Sequence, residues 1–388
     1  MSISEFFGDF SDYTPERMRE RGSLKWTAHP GSIGAWVAEM DFGVAPAIAE
    51  LIRHQAASGT FGYMPPTVSE DARLAVREWY REHCGWEIPD DAVRLYPDVL
   101  TALEATLLHL VHPDQPVVVP TPSYMPFLTV PALFDREIIQ VPSLRDSSGR
   151  YRLDLDGIDA ALSRNGGLLI LCNPWNPVGR VLARAELQQV EEIVVKNGAR
   201  VFADEIHAPV ILEPELTHIP YASISPAAAA HTVTATSNSK GWNIPGLKCA
   251  QMIVTAQADR QTLAPWDLHY EKLASPLGAR CAAVAYRDCA DWLAAVTEVL
   301  RGNRDVFAHE LSECAPEAIY RPAEGTYLAW VDLRPYGVEH AAEVLRGVGL
   351  AVNDGADCGA PGFARVNLAM APDNVRTAAR CIGQAVSR

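Results

Sequence analysis

The sequence predicts an α/β fold, in which a mostly parallel sheet sandwiched by helices forms a large domain and a smaller α+β domain accompanies it. The chain has 388 residues, which is too long for one ordinary domain with a single hydrophobic core. Short apolar runs that end in polar residues alternate with stretches of helical periodicity, which indicates βαβ units. The C-terminal part instead mixes short strands and helices at close spacing.

Five short apolar runs predict strands of the large sheet. They lie at 115–124, 166–174, 199–207, 231–240 and 249–255. Apolar runs of this length are typical of strands buried on both faces. Amphipathic stretches at 70–85, 98–111 and 183–198 predict helices of the same unit.

The smaller domain is predicted from three segments: a strand in 324–334, a helix in 339–349 and a strand in 362–370. We therefore expect an N-terminal segment (1–44) that packs with the small domain and lines the site. A large domain (45–285) and a C-terminal small domain (286–388) follow.

Composition narrows the possible functions. A net charge of −15 argues against a nucleic-acid partner, because phosphate binding needs a basic surface. The eight cysteines form no CxxC pair or Cys/His cluster, so we expect reduced thiols and no metal site. The chain has no apolar run of 18 residues and no apolar signal segment near its start, so we expect a cytoplasmic protein without a membrane partner.

Polar clusters follow the predicted strands, and ligands of open α/β sheets bind beyond the carboxyl ends of strands. The clusters are Tyr124, Asn173/Asn176, Asp204/His207 and Ser237/Lys240/Lys248. A desolvated lysine is a nucleophilic amine that can form a Schiff base. An aspartate can hold a protonated ring nitrogen, an aromatic ring can stack on a flat cofactor, and a helix start with hydroxyls and a lysine can bind phosphate. Pyridoxal phosphate needs all four contacts.

Seven motifs carry a resemblance to a known family. They are WVAEMDF (36–42), FGYMPP (61–66), NPWNPVGR (173–180), DEIH (204–207), SNSKGWNIPGLK (237–248), NDGADCG (353–359) and FARVNLA (363–369). With them the chain resembles the fold-type I pyridoxal-phosphate enzymes of the class I/II aminotransferase family. It is more narrowly similar to the cystathionine β-lyase-like (carbon–sulfur lyase) branch. The resemblance implies an aspartate aminotransferase-like fold and a homodimer.

The resemblance also implies roles around the cofactor ring. Lys240 carries the aldehyde as a Schiff base and is the catalytic lysine, while Asp204 pairs with the pyridine nitrogen. Asn176 and His207 address the side of the ring that bears the phenolic oxygen, and Tyr124 stacks on the ring.

Further roles concern the phosphate and the substrate. The resemblance implies a phosphate held by the backbone N–H groups of Val99 and Leu100, by Ser237 and by Lys248, with Tyr63 reaching it from the neighbouring subunit. Substrate binding is implied for Arg365, which grips the α-carboxylate, together with the backbone amide near Ala38 and the side chains of Tyr63 and Asn176.

Two positions depart from the family pattern. Asp98 stands where relatives usually have glycine before the phosphate-binding helix, which puts a carboxylate beside a phosphate. Cys358 stands where relatives more often have an aromatic residue, which predicts an altered pocket wall.

The resemblance implies a carbon–sulfur β-lyase that converts L-cystathionine or another S-substituted L-cysteine to a thiol, pyruvate and ammonia by α,β-elimination. One alternative is an aminotransferase, or a biosynthetic enzyme that takes an S-conjugated cysteine by another route such as oxidative deamination. A second alternative is a regulatory protein that binds a partner and retains a pyridoxal-phosphate site.

Overall fold

The computed structural model describes residues 3–387. The strands are β1 (Ile33–Gly34), β2 (Val93–Tyr96), β3 (Val117–Thr121), β4 (Ile138–Pro142), β5 (Leu144–Arg145), β6 (Tyr151–Arg152), β7 (Leu168–Cys172), β8 (Arg200–Asp204), β9 (Thr232–Thr236), β10 (Ala250–Val254), β11 (Ile319–Tyr320), β12 (Leu328–Asp332), β13 (Leu350–Ala351), β14 (Asn353–Asp354) and β15 (Phe363–Asn367). The helices are α1 (Ile3–Phe7), α2 (Pro15–Glu20), α3 (Leu24–Thr27), α4 (Pro46–Ser58), α5 (Pro66–Cys84), α6 (Val99–His109), α7 (Leu155–Leu162), α8 (Arg184–Lys196), α9 (Pro226–His231), α10 (Asn238–Gly241), α11 (Gln257–Leu263), α12 (Asp267–Glu271), α13 (Pro276–Asp288), α14 (Ala290–Cys314), α15 (Ala341–Arg346) and α16 (Pro372–Val386).

A seven-stranded sheet in the order β2-β10-β9-β8-β7-β3-β4 forms the centre of the large unit. All neighbours pair in parallel except β10, which is antiparallel to both β2 and β9. The five predicted strands are confirmed as β3, β7, β8, β9 and β10. All five are buried along their whole length apart from the first residue of β8, as apolar runs in a sheet covered on both faces should be.

Helices supply the layers on the sheet, and the three predicted ones are confirmed as α5, α6 and α8. The start of α8 explains why it forms there. Glu186 in its first turn accepts from the backbone N–H of Ala183 and forms a two-pronged pair with Arg180. A carboxylate in the first turn of a helix also interacts favourably with the helix dipole.

The C-terminal part contains an antiparallel sheet in the order β11-β12-β15-β14, with α14 and α16 packed against each other. The predicted strands β12 and β15 and the predicted helix α15 are confirmed. The division proposed at residue 286 stays a prediction. It falls near the end of α13, just before Cys289 separates α13 from α14.

The N-terminal segment crosses to the C-terminal part of the chain, where β1 pairs in parallel with β13. The backbone N–H of Ala35 donates to Ala351 O, and that of Asn367 donates to Ala35 O. These bonds place residues 36–42 directly beside β15.

Two further features concern the chemistry of the chain. No helix within residues 3–387 is long and apolar enough to cross a bilayer. All eight cysteines lie in that range and none forms a disulfide.

Candidate active site

A cavity of about 390 Å³ opens at the carboxyl ends of the central strands, between the large sheet, residues 36–38 and β15. Its size is within the range of small-molecule sites. Every predicted site residue except Tyr63 lines it. The prediction that the polar clusters converge at this edge of the sheet is therefore confirmed.

Strand register explains this convergence. Cys172 at the end of β7 lies opposite Asp204 at the end of β8, and Asp204 lies opposite Ala235 of β9. Ser237 follows the end of β9 directly. Because these parallel strands end at one level, side chains about 30 residues apart in sequence become neighbours.

Lys240 lies in the short helix α10, and its Nζ donates to the carbonyl oxygen of Ala38 at 3.0 Å. The Tyr327 hydroxyl donates to the same oxygen at 3.1 Å. Burial, together with nearby Arg365, lowers the pKa of Lys240 to about 8. Its amine is therefore neutral and nucleophilic in a much larger fraction of molecules than that of a surface lysine.

Asp204 is buried, with its Oδ1 accepting from the backbone N–H of Ile206 at 3.2 Å and its Oδ2 accepting from the Cys172 thiol at 3.4 Å. Burial raises the pKa of Asp204 to about 6. A buried carboxylate of this kind is stabilised by a cation placed against it, such as a protonated ring nitrogen.

His207 and Tyr124 both line the cavity. His207 is buried, and burial lowers its pKa to about 3, so the imidazole is neutral. Its Nδ1 is buried without a hydrogen-bond partner among residues 3–387, and its ring meets that of Tyr327 edge-on. Burial also raises the pKa of Tyr124, which keeps its hydroxyl protonated at neutral pH.

Arg365, from the middle of β15, is buried and has only uncharged partners within the described residues. Its Nη1 donates to Asn176 Oδ1 at 3.1 Å, and its Nη2 donates to Asn353 Oδ1 at 2.6 Å and to Trp36 O at 3.2 Å. A buried guanidinium without a carboxylate at its side is a binding site for an anion, since charges are rarely buried unpaired.

At the other end of the cavity, α6 begins at Val99, so the amides of Val99 and Leu100 belong to a first turn whose N–H groups have no partner inside the helix. The Ser237 hydroxyl donates to Cys249 O at 2.8 Å and accepts from the backbone N–H of Ser239. Lys248 contacts Asp98 at 3.1 Å.

Three further residues singled out in the sequence have well-defined places. Tyr63 lies outside the cavity of its own chain, with 96 % of its surface exposed, and its reach to a neighbouring subunit stays a prediction. Ala38 presents its carbonyl oxygen to Lys240 and Tyr327. Cys358 is fully buried in the core and does not line the cavity, so the expected change in the pocket wall is absent among the described residues.

Sequence reasoning missed the residues that hold the wall formed by residues 36–42. Lys25 is buried, forms an ion pair with Asp41 at 3.0 Å and donates to Ala369 O at 2.9 Å. Asn367 Nδ2 donates to the carbonyls of Val37 and Glu39. The local sign of this ion pair is the aspartate in the largely apolar motif WVAEMDF, because a buried carboxylate requires a cation as its partner.

The buried groups fit pyridoxal phosphate. Asp204 offers a carboxylate for a ring cation, the orphaned Nδ1 of His207 offers an uncharged polar contact, and Lys240 offers an amine for an aldehyde. The start of α6 and Lys248 offer donors for a phosphate, and Arg365 remains for a substrate carboxylate. Among residues 3–387 no group of three or more His, Cys, Asp or Glu side chains could hold a metal ion.

Comparison with known proteins agrees with this geometry. The sequence profile of aminotransferase class I and II matches residues 37–382. The cystathionine beta-lyase of Corynebacterium glutamicum is 32 % identical over 373 residues, which cover 95 % of this chain and 97 % of that protein. The crystal structure of cystalysin from Treponema denticola, which contains pyridoxal 5′-phosphate, is 27 % identical with a TM-score of 0.90 over 98 % of both chains.

A third relative, the pyridoxal-phosphate-bound C-S lyase from Staphylococcus hominis, is 26 % identical with a TM-score of 0.89 over 98 % of both chains. The matches extend over nearly the whole chain, as the spread of the seven motifs predicted. The chain belongs to the aminotransferase class I and II family.

Proposed function

We propose that the protein is a pyridoxal-phosphate-dependent carbon–sulfur β-lyase acting on L-cystathionine or another S-substituted L-cysteine. Water and the substrate would give a thiol, pyruvate and ammonia. The observation that carries the proposal is that one cavity contains both a lysine whose pKa is lowered to about 8 and a buried arginine that has no charged partner in the described part of the chain. The similarity to cystathionine β-lyase and C-S lyase relatives supports this choice of reaction.

The substrate is oriented by its carboxylate. Arg365 is already held by Asn176, Asn353 and the carbonyl of Trp36, so its fork is fixed before a substrate carboxylate arrives. A planar guanidinium can bind that carboxylate with two parallel hydrogen bonds. The Cα–H bond is then presented to the amine of Lys240.

Lys240 moves the proton. Its neutral amine can take the proton from Cα, and the Ala38 carbonyl offers the resulting ammonium an acceptor in place. Bound here, pyridoxal phosphate supplies an electron sink for the pair that the C–H bond releases. Asp204 would hold the ring nitrogen in its protonated form, because a buried carboxylate favours a cation beside it. The Cβ–S bond then breaks and the sulfur leaves with its electron pair.

The test is an assay of thiol and pyruvate release from L-cystathionine and S-substituted cysteines of increasing bulk, run with and without a keto-acid acceptor. We expect both products without an acceptor, and neither product from Lys240→Ala. If a keto acid forms only with an acceptor and no thiol appears, the protein is an aminotransferase. If the protein binds the cofactor but turns over no conjugate, the regulatory alternative takes its place.

We also propose a homodimer whose sites are shared. Phe61 and Tyr63 are 67 % and 96 % exposed in the connection between α4 and α5, and adjacent exposed aromatics favour a protein contact. In this arrangement Tyr63 reaches the phosphate of the neighbouring subunit. Sedimentation should give twice the chain mass, and Tyr63→Phe should weaken cofactor binding while the dimer persists. A monomer with full cofactor affinity contradicts the arrangement.

The cytoplasmic location stays a prediction.

A further inference from the structure

We infer that Asp98 competes with the cofactor's phosphate for Lys248 and so lowers the affinity of the protein for pyridoxal phosphate. This inference rests on the proposed cofactor site. It concerns one carboxylate at the edge of the cavity, and it assigns to that carboxylate a role in setting how tightly the cofactor is held.

Asp98 is bound on both of its oxygens. It is the N-cap of α6, and its Oδ1 accepts from the backbone N–H and the hydroxyl of Thr101, both at 2.9 Å. Its Oδ2 lies 3.1 Å from Lys248 Nζ. Burial on its own raises the pKa of Asp98, but these hydrogen bonds and Lys248 outweigh it, so its pKa lies below the ordinary value. The carboxylate is therefore ionised at neutral pH.

A phosphate at this end of the cavity needs the same donors. The amides at the start of α6 and the ammonium of Lys248 are among the groups that an anion can use here, and Lys248 is the cation of this set. The carboxylate of Asp98 and Lys248 already neutralise each other. An incoming phosphate, which carries up to two negative charges, must draw Lys248 away from Asp98 or share it.

The side chain of Asp98 is held in place at the start of α6. Its cap bonds to Thr101 stabilise the first turn of α6, and an aspartate that caps a helix is costly to remove. After Lys248 turns to the phosphate, the carboxylate stays nearby without its cation. Both the lost ion pair and the repulsion between anions oppose binding. The cofactor consequently exchanges more readily than it would in a site without this carboxylate.

Asp98→Asn is the sharpest variant, because asparagine caps a helix about as well as aspartate and has nearly the same shape. Protein freed of its cofactor is titrated with pyridoxal phosphate, and binding is followed by cofactor absorbance and tryptophan fluorescence. We expect about fivefold tighter binding, the factor that corresponds to about 1 kcal/mol for a half-exposed charge pair. Titration with pyridoxal, which lacks the phosphate, should give equal affinities for both proteins.

Asp154→Asn is the matched control, since Asp154 caps α7 in the same way through the backbone N–H of Gly157 and does not line the cavity. It should leave the affinity unchanged. In a Lys248→Gln background, the gain from Asp98→Asn should shrink, because competition for the lysine is gone.

The possible outcomes distinguish a failure of the proposed function from a failure of the role proposed for Asp98. Wild-type protein that binds no pyridoxal phosphate overturns the proposed function itself. If the wild type binds but Asp98→Asn binds no more tightly, the role of Asp98 is overturned and the proposed function stands. A gain of the same size with pyridoxal, or an undiminished gain in the Lys248→Gln background, also overturns the competition.

Discussion

At the scale of single residues, the site consists of charged groups that folding alone would not favour. Asp204 is buried against a thiol and one backbone amide, and Arg365 is buried among neutral oxygens. Neither forms an ion pair within residues 3–387, and both line the cavity. Such groups are retained because a ligand supplies the missing charge.

The raised pKa of Asp204 predicts a dependence of stability on pH. Its folded value of about 6 lies above the unfolded value of 3.8, so between these pH values the folded protein holds the extra proton. The Asp204 contribution therefore falls as pH rises from about 4 to 6, and above that range the ionised carboxylate costs about 3 kcal/mol. In protein freed of cofactor, Asp204→Asn should raise the free energy of unfolding at pH 8 and leave it nearly unchanged at pH 4. Denaturant unfolding at both pH values measures this, and equal effects would contradict the assignment.

Short motifs made most of the site predictable from sequence. Lys240, Asp204 and Arg365 each lie in a compact pattern at a strand end or on a strand. Cys172 and Tyr327 lie in predicted strands, but nothing in the local sequence marks them or Lys25 as site residues. Each reaches the site through a contact that exists only after folding. The Tyr327 hydroxyl, for example, is brought to Ala38 from 289 residues away in the sequence.

At the scale of elements, apolar runs predicted five of the seven central strands, whereas β2 and β4 were missed. The sequence of β2, VRLY, carries Arg94, and a charged residue argues against a fully buried strand. The structure resolves the conflict with an ion pair from the buried Arg94 Nε to the partly exposed Asp267 at 2.6 Å. Because Asp267 lies in α12, 173 residues from Arg94, the sequence around β2 does not reveal this partner.

The wall formed by residues 36–42 depends on a buried ion pair. Removing one member of such a pair leaves the other charged and unsolvated, so Lys25→Met should lower the free energy of unfolding by about 3 to 5 kcal/mol. It should also loosen the carbonyl of Ala38 and reduce turnover. Lys196→Met, which removes an exposed partner of Asp159, is the control and should change stability by less than about 1 kcal/mol. A similar small effect from both variants in chemical denaturation would contradict the role of Lys25.

At the scale of the whole molecule, Glu324 joins the C-terminal part to the large unit. Its carboxylate contacts Arg150 and Arg180 and accepts from the backbone N–H of Val181 at 3.0 Å, while its carbonyl accepts from Leu212. Arg145 adds a second link, to the buried Asp332 at 2.5 Å. We expect links of this kind to make the two parts unfold together.

We therefore expect a single cooperative unfolding transition for the wild type, with cofactor absorbance and far-ultraviolet circular dichroism changing together. Glu324→Ala should lower the midpoint and separate the two signals, since it leaves Arg150 without this carboxylate and the boundary without its central acceptor. Glu137→Ala, which removes an exposed pair with Arg164, should do neither. Coincident signals in Glu324→Ala would show that the parts are joined by other contacts.

The hydrogen bonds that hold residues 36–42 also determine how early this wall can form while the chain is being synthesised. Asn367 grips the carbonyl of Val37 from 330 residues later in the sequence, and Ala369 accepts from both Lys25 and the backbone N–H of Asp41. A ribosome delivers the lysine and the strands of the central sheet long before it delivers these partners. The large unit can therefore gather its cofactor groups early, but the wall over them closes only when β15 has emerged. Until then, the chain has the side chains proposed to bind the cofactor but lacks Arg365, the residue proposed to bind the substrate carboxylate.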